Sequence, residues 1–314
     1  MGFVPQRTLR KSVGCAGIGL HSGSVATMTL HPAEPGTGVR FRRTDLAGSS
    51  VDIAATWDNV IERPLCTTLA NGDGVTVATV EHLMSAFVGC GIDNALVELA
   101  GEEVPAMDGS AAPFVAMIED AGAIEQAAPR RALEILKPVA VREPHRWVAL
   151  LPGGGFDIDF EIEFDNELVA RQRWSVSVDD ETYKREVAPA RTFGFLHEVD
   201  GLRAMGLARG GSLDNAIVID RDRILNEGGL RFDNEFVRHK VLDAIGDLYL
   251  LGGPLRGQFR GVRAGHALTL RLLRVLFADQ SAWSWHKLRS DETYAARKHA
   301  SGAIQPGEAV AAAS

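Results

Sequence analysis

The chain has 314 residues, 46% of them hydrophobic, with a mean hydropathy of −0.01, a formal net charge of −8 and a pI near 5.6. This balance favours a folded globule of one large domain or two smaller ones and argues against disorder. The acidity argues against a general nucleic-acid binder, so an anionic ligand would need a local basic patch.

The first residues, MGFVPQRTLRKSVG, contain no long apolar core, so no secretory signal is expected. Gln6 stands where a myristoylation signal needs Ser or Thr. No apolar run approaches the roughly 20 residues of a membrane helix. Cys15, Cys66 and Cys90 form no C-x-x-C, and their odd number suits a reducing, cytoplasmic location.

The segments SVATMTLHPA and TGVRFRRTDL alternate apolar and polar residues between Pro and Gly clusters and read as strands. GVTVATVEHLMSAFVGCGIDNALVELAG reads strand, helix, strand, with Thr79 as N-cap and Gly89 or Gly91 as the stop. AAPFVAMIEDAG is a second helix, closed at Gly122. EQAAPRRA, polar and broken by a proline, marks a domain boundary. LEILKPVAVRE, RWVALLPG and FDIDFEIEF read as strands, and ETYKREVAPARTFGFLHEVDGLRAMGL as mostly helical. NAIVID and GQFRGVRAGHALTLRLLRVLF close the second half, and the segment after Ala282 reads as frayed. Strands precede helices in each half, so two similar α+β layers packed together are expected, without a clean repeat in the sequence.

FVRHKVLDAIGD carries the first chemical signal. Val237, Val241, Ile245 and Leu248 form an apolar stripe at helical spacing, with His239, Asp243 and Asp247 roughly opposite. Such a face is commonly just solvated. Imidazole and carboxylate one turn apart can also aim two ligand atoms at one ion. Glu81 and His82 sit together at a helix start, without H-E-x-x-H, and His197-Glu198 lacks the second histidine. His82 with His239 and Asp243 would make a three-ligand catalytic set and leave Glu81 free as a base. MDGSAAPF reads as an Asp108 turn with a Ser110 cap, and RGGSLDNA is not a dinucleotide-binding loop. His266, between Gly265 and Ala267, has room for a ligand to approach.

QRTLRKSVGCAGIGLHSG, FRRTDL, ATVEHLMSAFVGCGIDNALVEL, VPAMDGSAAPFV, ARTFGF, GGSLDNAIVID, NEGGLRFDNEFVRHKVLDAIGDLYL and AGHALT, in this order, resemble the bacterial UDP-3-O-acyl-N-acetylglucosamine deacetylases. These are zinc enzymes of lipid A synthesis. The resemblance implies an α+β fold of two similar domains, each a helix layer on a β-sheet, packed as a four-layer sandwich with a β-α-β insert in the second. The domains would be 1–126 and 127–284, with the insert near 190–220 and a tail over 285–314. One zinc ion per chain is implied, on His82, His239 and Asp243, with Glu81 as general base. Asp247 and His266 match a carboxylate–imidazole pair, and Thr192 matches a hydroxyl that assists the oxyanion. Lys240, Phe193, Phe195 and His21 match substrate-binding positions. Val199, Leu202, Met205 and Leu207 would suit an acyl chain. The partner implied is a UDP-linked acylated amino sugar, with no nucleic acid, no integral membrane segment and a monomeric chain. GLARGGSLD departs from the family near the acyl passage.

The chemistry agrees. Zinc polarises an amide carbonyl and lowers the pKa of water from 15.7 toward about 7. His266 or Glu81 would protonate the leaving amine, and both stay open here. Another metal hydrolase on the same ligands would want different substrates. A non-catalytic nucleotide-sugar or lipid binder would lack a ligand or a base, and none is lacking.

Overall fold

Alternation decides which strand faces are buried. In Val25–Pro32 the side chains of Ala26, Met28 and Leu30 point inward while Val25 and Thr27 face solvent. The same period buries Val39 and Phe41 in Val39–Arg43, and Ala95, Val97 and Leu99 in Ala95–Ala100. The computed structural model, which describes residues 2–48 and 51–290, joins these strands into a five-stranded sheet. Its order is Val13–Ile18, Val25–Pro32, Ala95–Ala100, Val39–Arg43, Asp52–Ala54.

The second half repeats the pattern as Val139–Glu143, Arg146–Leu151, Leu255–Val262, Phe156–Glu163, Arg171–Ser177. In both sheets the third strand pairs antiparallel with the second and parallel with the fourth. Arg131–Ile135 and Trp283–Lys287 extend the second sheet.

The helices are α1 (Glu81–Gly89), α2 (Ala112–Ala121), α3 (Asp180–Thr182, running into a π-helical turn), α4 (Val199–Ala204), α5 (Glu235–Tyr249) and α6 (His266–Ala278). In each half the third strand lies in sequence between two of them: α1 and α2 in the first, α5 and α6 in the second. Helix α2 packs on Val13–Ile18, α6 on Val139–Glu143 and Arg146–Leu151, and α5 on Phe156–Glu163 and Arg171–Ser177. The most extensive helix contact is α1 against α5. Sheet, helices, helices, sheet is the four-layer α+β sandwich.

Each half also carries extra structure between its fifth strand and its following helix. In the second half, Phe193–Phe195 pairs in parallel with Ile217–Asp220 through α4, the β-α-β unit that the resemblance implies. In the first half, Val60–Ile61, Thr68–Ala70 and Thr76–Ala78 make a small three-stranded sheet that sequence reading did not foresee.

Local differences have physical reasons. Residues 125–132 are regular structure: Ala123–Pro129 pairs with Pro5–Leu9, and Arg131 opens the next strand. Polar residues suit that strand because its outer face meets water. Trp283–Lys287 is a paired strand, so the chain is ordered past Ala282; residues 291–314 of the tail call lie outside the described residues. Only pieces of 181–207 are helical, because Phe193–Phe195 joins a sheet. Thr79 does not cap α1: its φ is +57° and its hydroxyl donates to Glu103.

Helix α5 departs most from the amphipathic pattern. Thirteen of its 15 residues are buried, and only Arg238 and Lys240 are not. The face with His239, Asp243 and Asp247 is covered by α1 and α6. Gly246 permits the approach. A Cβ there would stand 2.0 Å from the Glu81 carbonyl oxygen and 3.0 Å from its Cα. Helix propensity alone would make Gly246→Ala stabilising by about 1 kcal/mol. Backbone overlap costs more, about 1–3 kcal/mol for overpacking. Gly246→Ala is therefore expected to lower the denaturant midpoint and, by displacing Glu81, to lower kcat. A variant as stable and active as the parent would show that α1 and α5 do not need this contact.

Candidate active site

Three buried side chains converge where α1 meets α5. His82 is the second residue of α1, and His239 and Asp243 lie one turn apart on α5. His82 Nε2 is 3.4 Å and His239 Nε2 3.3 Å from Asp243 Oδ1, and the two rings stand edge to face at 4.9 Å. His239 Nδ1–H donates to the Ala190 carbonyl at 3.1 Å, which leaves Nε2 with its lone pair aimed inward. Asp243 Oδ2 accepts from Lys240 Nζ at 2.9 Å, whereas Oδ1 is buried with no hydrogen-bond partner. A bare, buried carboxylate oxygen facing two imidazole nitrogens fits a divalent cation. One ligand atom from each residue lies within 4.8 Å of the others.

The electrostatics point the same way. Burial pushes His239 down to about 3 despite the pull of Asp243, so the ring is neutral, as a ligand must be. Burial alone would raise Asp243, but His239, Lys240 and His82 outweigh it and hold the carboxyl well below the usual range.

A second group lies beside the first. Glu81 is 3% exposed, and its Oε2 accepts the Thr67 backbone N–H at 3.1 Å. Its Oε1 is 3.7 Å from His266 Nε2, which is also 3.8 Å from Asp243 Oδ2. His266 Nδ1 is 2.8 Å from Asp247 Oδ2, and the Thr67 hydroxyl donates to Asp247 Oδ1 at 2.6 Å. Burial pushes the Glu81 carboxyl up, only partly offset by His266 and His82. Burial would lower His266, but Asp247 and Glu81 outweigh it and push the imidazole up to about 10. A carboxylate and an imidazolium thus face each other beside the trio.

The surroundings are braced. Glu235, fully buried, accepts from the Arg191 backbone and guanidinium and from the Arg231 N–H. That clamp holds the segment 190–192, just before the strand Phe193–Phe195, against the start of α5. Thr192 is fixed through its own backbone to Gly109 and Ile217. Phe193 packs edge-on to Phe236, with the Lys240 ammonium 5.7 Å from its ring centre. Phe195 lies farther back, against Phe164 and His197. His21 is buried, and its Nδ1 accepts from the Ala208 N–H at 3.4 Å. Burial pushes it down, helped by His266 and His82 though opposed by Glu103, so it is neutral and close enough to sense the site. Sequence reading missed Thr67 and the Ala190 carbonyl: a lone threonine and a backbone oxygen carry no motif. It also missed a cavity of about 260 Å³ beside Lys240, whose lining includes His145, Arg146, Phe164 and Arg263.

A carboxylate–imidazole pair against two histidines and an aspartate that fit a cation defines a metal-dependent hydrolase. The sequence profile described as UDP-3-O-acyl N-acetylglycosamine deacetylase matches residues 6–278. Similar proteins named UDP-3-O-acyl-N-acetylglucosamine deacetylase include one from Chromohalobacter salexigens, 51% identical over 96% of this chain and 100% of its own length. Another, from Acidithiobacillus ferrooxidans, is 53% identical over 90% of this chain and 93% of its own. A third, from Teredinibacter turnerae, is 48% identical over 93% and 96%. The chain belongs to the UDP-3-O-acyl N-acetylglycosamine deacetylase family. Its reaction is removal of the N-acetyl group in a step of lipid A biosynthesis.

Asp247→Asn removes the charge that raises His266, so the imidazole is expected to titrate well below 10 and nearer its ordinary 6.5 in metal-free protein. A raised folded pKa stabilises the fold below pH 6.5, and that contribution is lost as pH rises through about 10. Metal-free parent should therefore lose stability over this window more steeply than Asp247→Asn. An NMR titration of His266 and denaturation at several pH values check both; identical His266 titrations would contradict the assignment.

Proposed function

We propose that the deacetylation runs at one zinc ion per chain, held by His82, His239 and Asp243. The observation that carries this is the bare, buried Asp243 Oδ1 facing two imidazole nitrogens. Two imidazoles and one carboxylate, with a position left open, suit catalytic zinc better than magnesium or calcium, which prefer oxygen donors. When bound, the ion polarises the acetamide carbonyl and acidifies the attacking water.

The chain supplies the proton transfers. Glu81, raised by burial, takes a proton from water through Oε1, since Oε2 is held by the Thr67 N–H. Oxygen bonds to the amide carbon, and the Thr192 hydroxyl donates to the carbonyl oxygen as it gains charge. Such a donor is typically worth about 3 kcal/mol. His266, an imidazolium below about 10, gives its Nε2 proton to the nitrogen as the C–N bond breaks. Asp247 keeps the proton on Nδ1. Acetate and the free amine remain.

Lys240, Arg146 and Arg263 border one cavity and would hold the diphosphate despite the net charge of −8. Phe164 lines this cavity, with the Phe193 and Phe195 rings packed against it as the proposed aromatic side of the substrate site, and His21 would contact the sugar. The acyl chain lies along α4, where Met205 is 69% exposed and Val199, Leu202 and Leu207 are incompletely buried. Two domains divided near residue 127 meet at the site, the second including the paired strand Trp283–Lys287. Three free cysteines support the cytoplasm, and the acidic balance argues against nucleic acid. Among the described residues no helix is long and apolar enough to cross a membrane.

Metal analysis and kinetics on one set of variants test the assignment. His82→Ala, His239→Ala and Asp243→Ala are expected to lose zinc, while Glu81→Gln keeps zinc and loses about 10²–10⁴-fold in kcat. Full zinc occupancy in all three ligand variants sinks the site, and normal turnover of zinc-loaded Glu81→Gln moves the base elsewhere.

For the diphosphate, Lys240→Ala and Arg263→Ala are expected to raise KM and to weaken its dependence on ionic strength. Unchanged KM in both would place the diphosphate away from this cavity.

A further inference from the structure

We infer that Thr67 is the positioning residue of this reaction, holding the proton acceptor and the carboxylate behind the proton donor at once. The inference rests on the reading of Glu81 as base and His266 as acid.

Thr67 is fully buried in the small first-half insert, just before the strand Thr68–Ala70. It spends each of its polar groups on the site. Its carbonyl accepts from the N–H of Val80, the residue before Glu81, at 3.3 Å. Its own N–H donates to Glu81 Oε2 at 3.1 Å. Its hydroxyl donates to Asp247 Oδ1 at 2.6 Å and lies 3.2 Å from His266 Nδ1.

A hydroxyl has one proton and two acceptor lone pairs. With that proton on Asp247 Oδ1, the oxygen can only accept from His266 Nδ1–H. Asp247 Oδ2 accepts from the same nitrogen at 2.8 Å. The threonine therefore selects the His266 form that carries hydrogen on Nδ1 and turns Nε2 toward Glu81 Oε1. The backbone N–H meanwhile occupies Glu81 Oε2 and leaves Oε1 on the reacting side. A buried threonine with only a packing role would need just one partner for its hydroxyl. This one ties together groups 14, 180 and 199 residues away in sequence, all of them in the site.

Thr67→Val keeps the shape and the backbone N–H but removes the hydroxyl. Zinc-loaded Thr67→Val is expected to keep its metal and KM and to lose kcat by about 10–100-fold, the usual cost of an orienting partner. Thr67→Ser restores the hydroxyl and should recover kcat to within about threefold. Because the hydroxyl acts through Asp247, the losses of Thr67→Val and Asp247→Asn should not add when combined. Parental kcat in Thr67→Val, a serine variant as poor as the valine one, or additive losses would overturn the inference. If Thr67→Val does not fold, Thr67→Ser alone decides: kcat within about threefold supports the hydroxyl, and a loss beyond about tenfold overturns it. Glu81→Gln and His266→Ala run alongside. If both stay active, the acid–base reading itself has failed; if both fail while Thr67→Val works, only the role of Thr67 falls.

Discussion

The contact on which the site depends is the crossing of α1 and α5, where Gly246 lies against the Glu81 backbone with no room for a Cβ. Glu81 and His82, the proposed base and one proposed ligand, are on α1, and His239, Asp243 and Asp247 are on α5. Their side chains are short, so the helix axes must come close for the functional atoms to meet. Gly89 plays a related part behind the site, where the Tyr183 ring takes the space a Cβ would fill and its hydroxyl donates to Ser85. Small residues at a helix crossing convert two ordinary helices into a scaffold of sub-ångström tolerance.

That crossing buries an unusual amount of charge. Glu81, Asp243 and Asp247 each lie within 3.8 Å of a His266 ring nitrogen, all nearly inaccessible. Carboxylates so placed stay ionised only against compensating charge. Lys240 answers Asp243 and His266 answers Asp247, while Asp243 Oδ1 has no hydrogen-bond partner. The proposed divalent cation would complete this balance. Burial holds His239 neutral against the pull of Asp243, whereas the neighbouring carboxylates overcome burial at His266 and keep it protonated, the states that the proposed ligation and proton donation require.

The two halves contribute by different routes. Their sheets and helices repeat one topology, and each inserts extra structure before its central helix. The first insert brings Thr67 onto Glu81 and Asp247. In the second half, the segment entering the insert brings the Ala190 carbonyl onto His239. The scaffold thus brings the site side chains together, and the connecting segments set their orientation. Residues 208–210 of the second insert reach back to the first half, through backbone bonds from Arg209 and Gly210 to His21 and Leu20.

The sequence by itself determined the chemistry that is local. Spacing on one helix places His239 a turn from Asp243, because i and i+4 always stack, and adjacency places Glu81 beside His82. The period-two runs located most strands, and the ordered motifs carried the family. Much else was illegible for a physical reason. Amphipathic spacing marks His239, Asp243 and Asp247 as a polar face, but only the packing of α1 and α6 on that face makes it an interior. Thr67 has no local signature, since its partners lie up to 199 residues away. The polar strand over 123–129 looks like a linker until Pro5–Leu9 pairs with it. Which imidazole is neutral and which is charged follows from burial and from neighbours distant in the chain, and only the tertiary structure decides that.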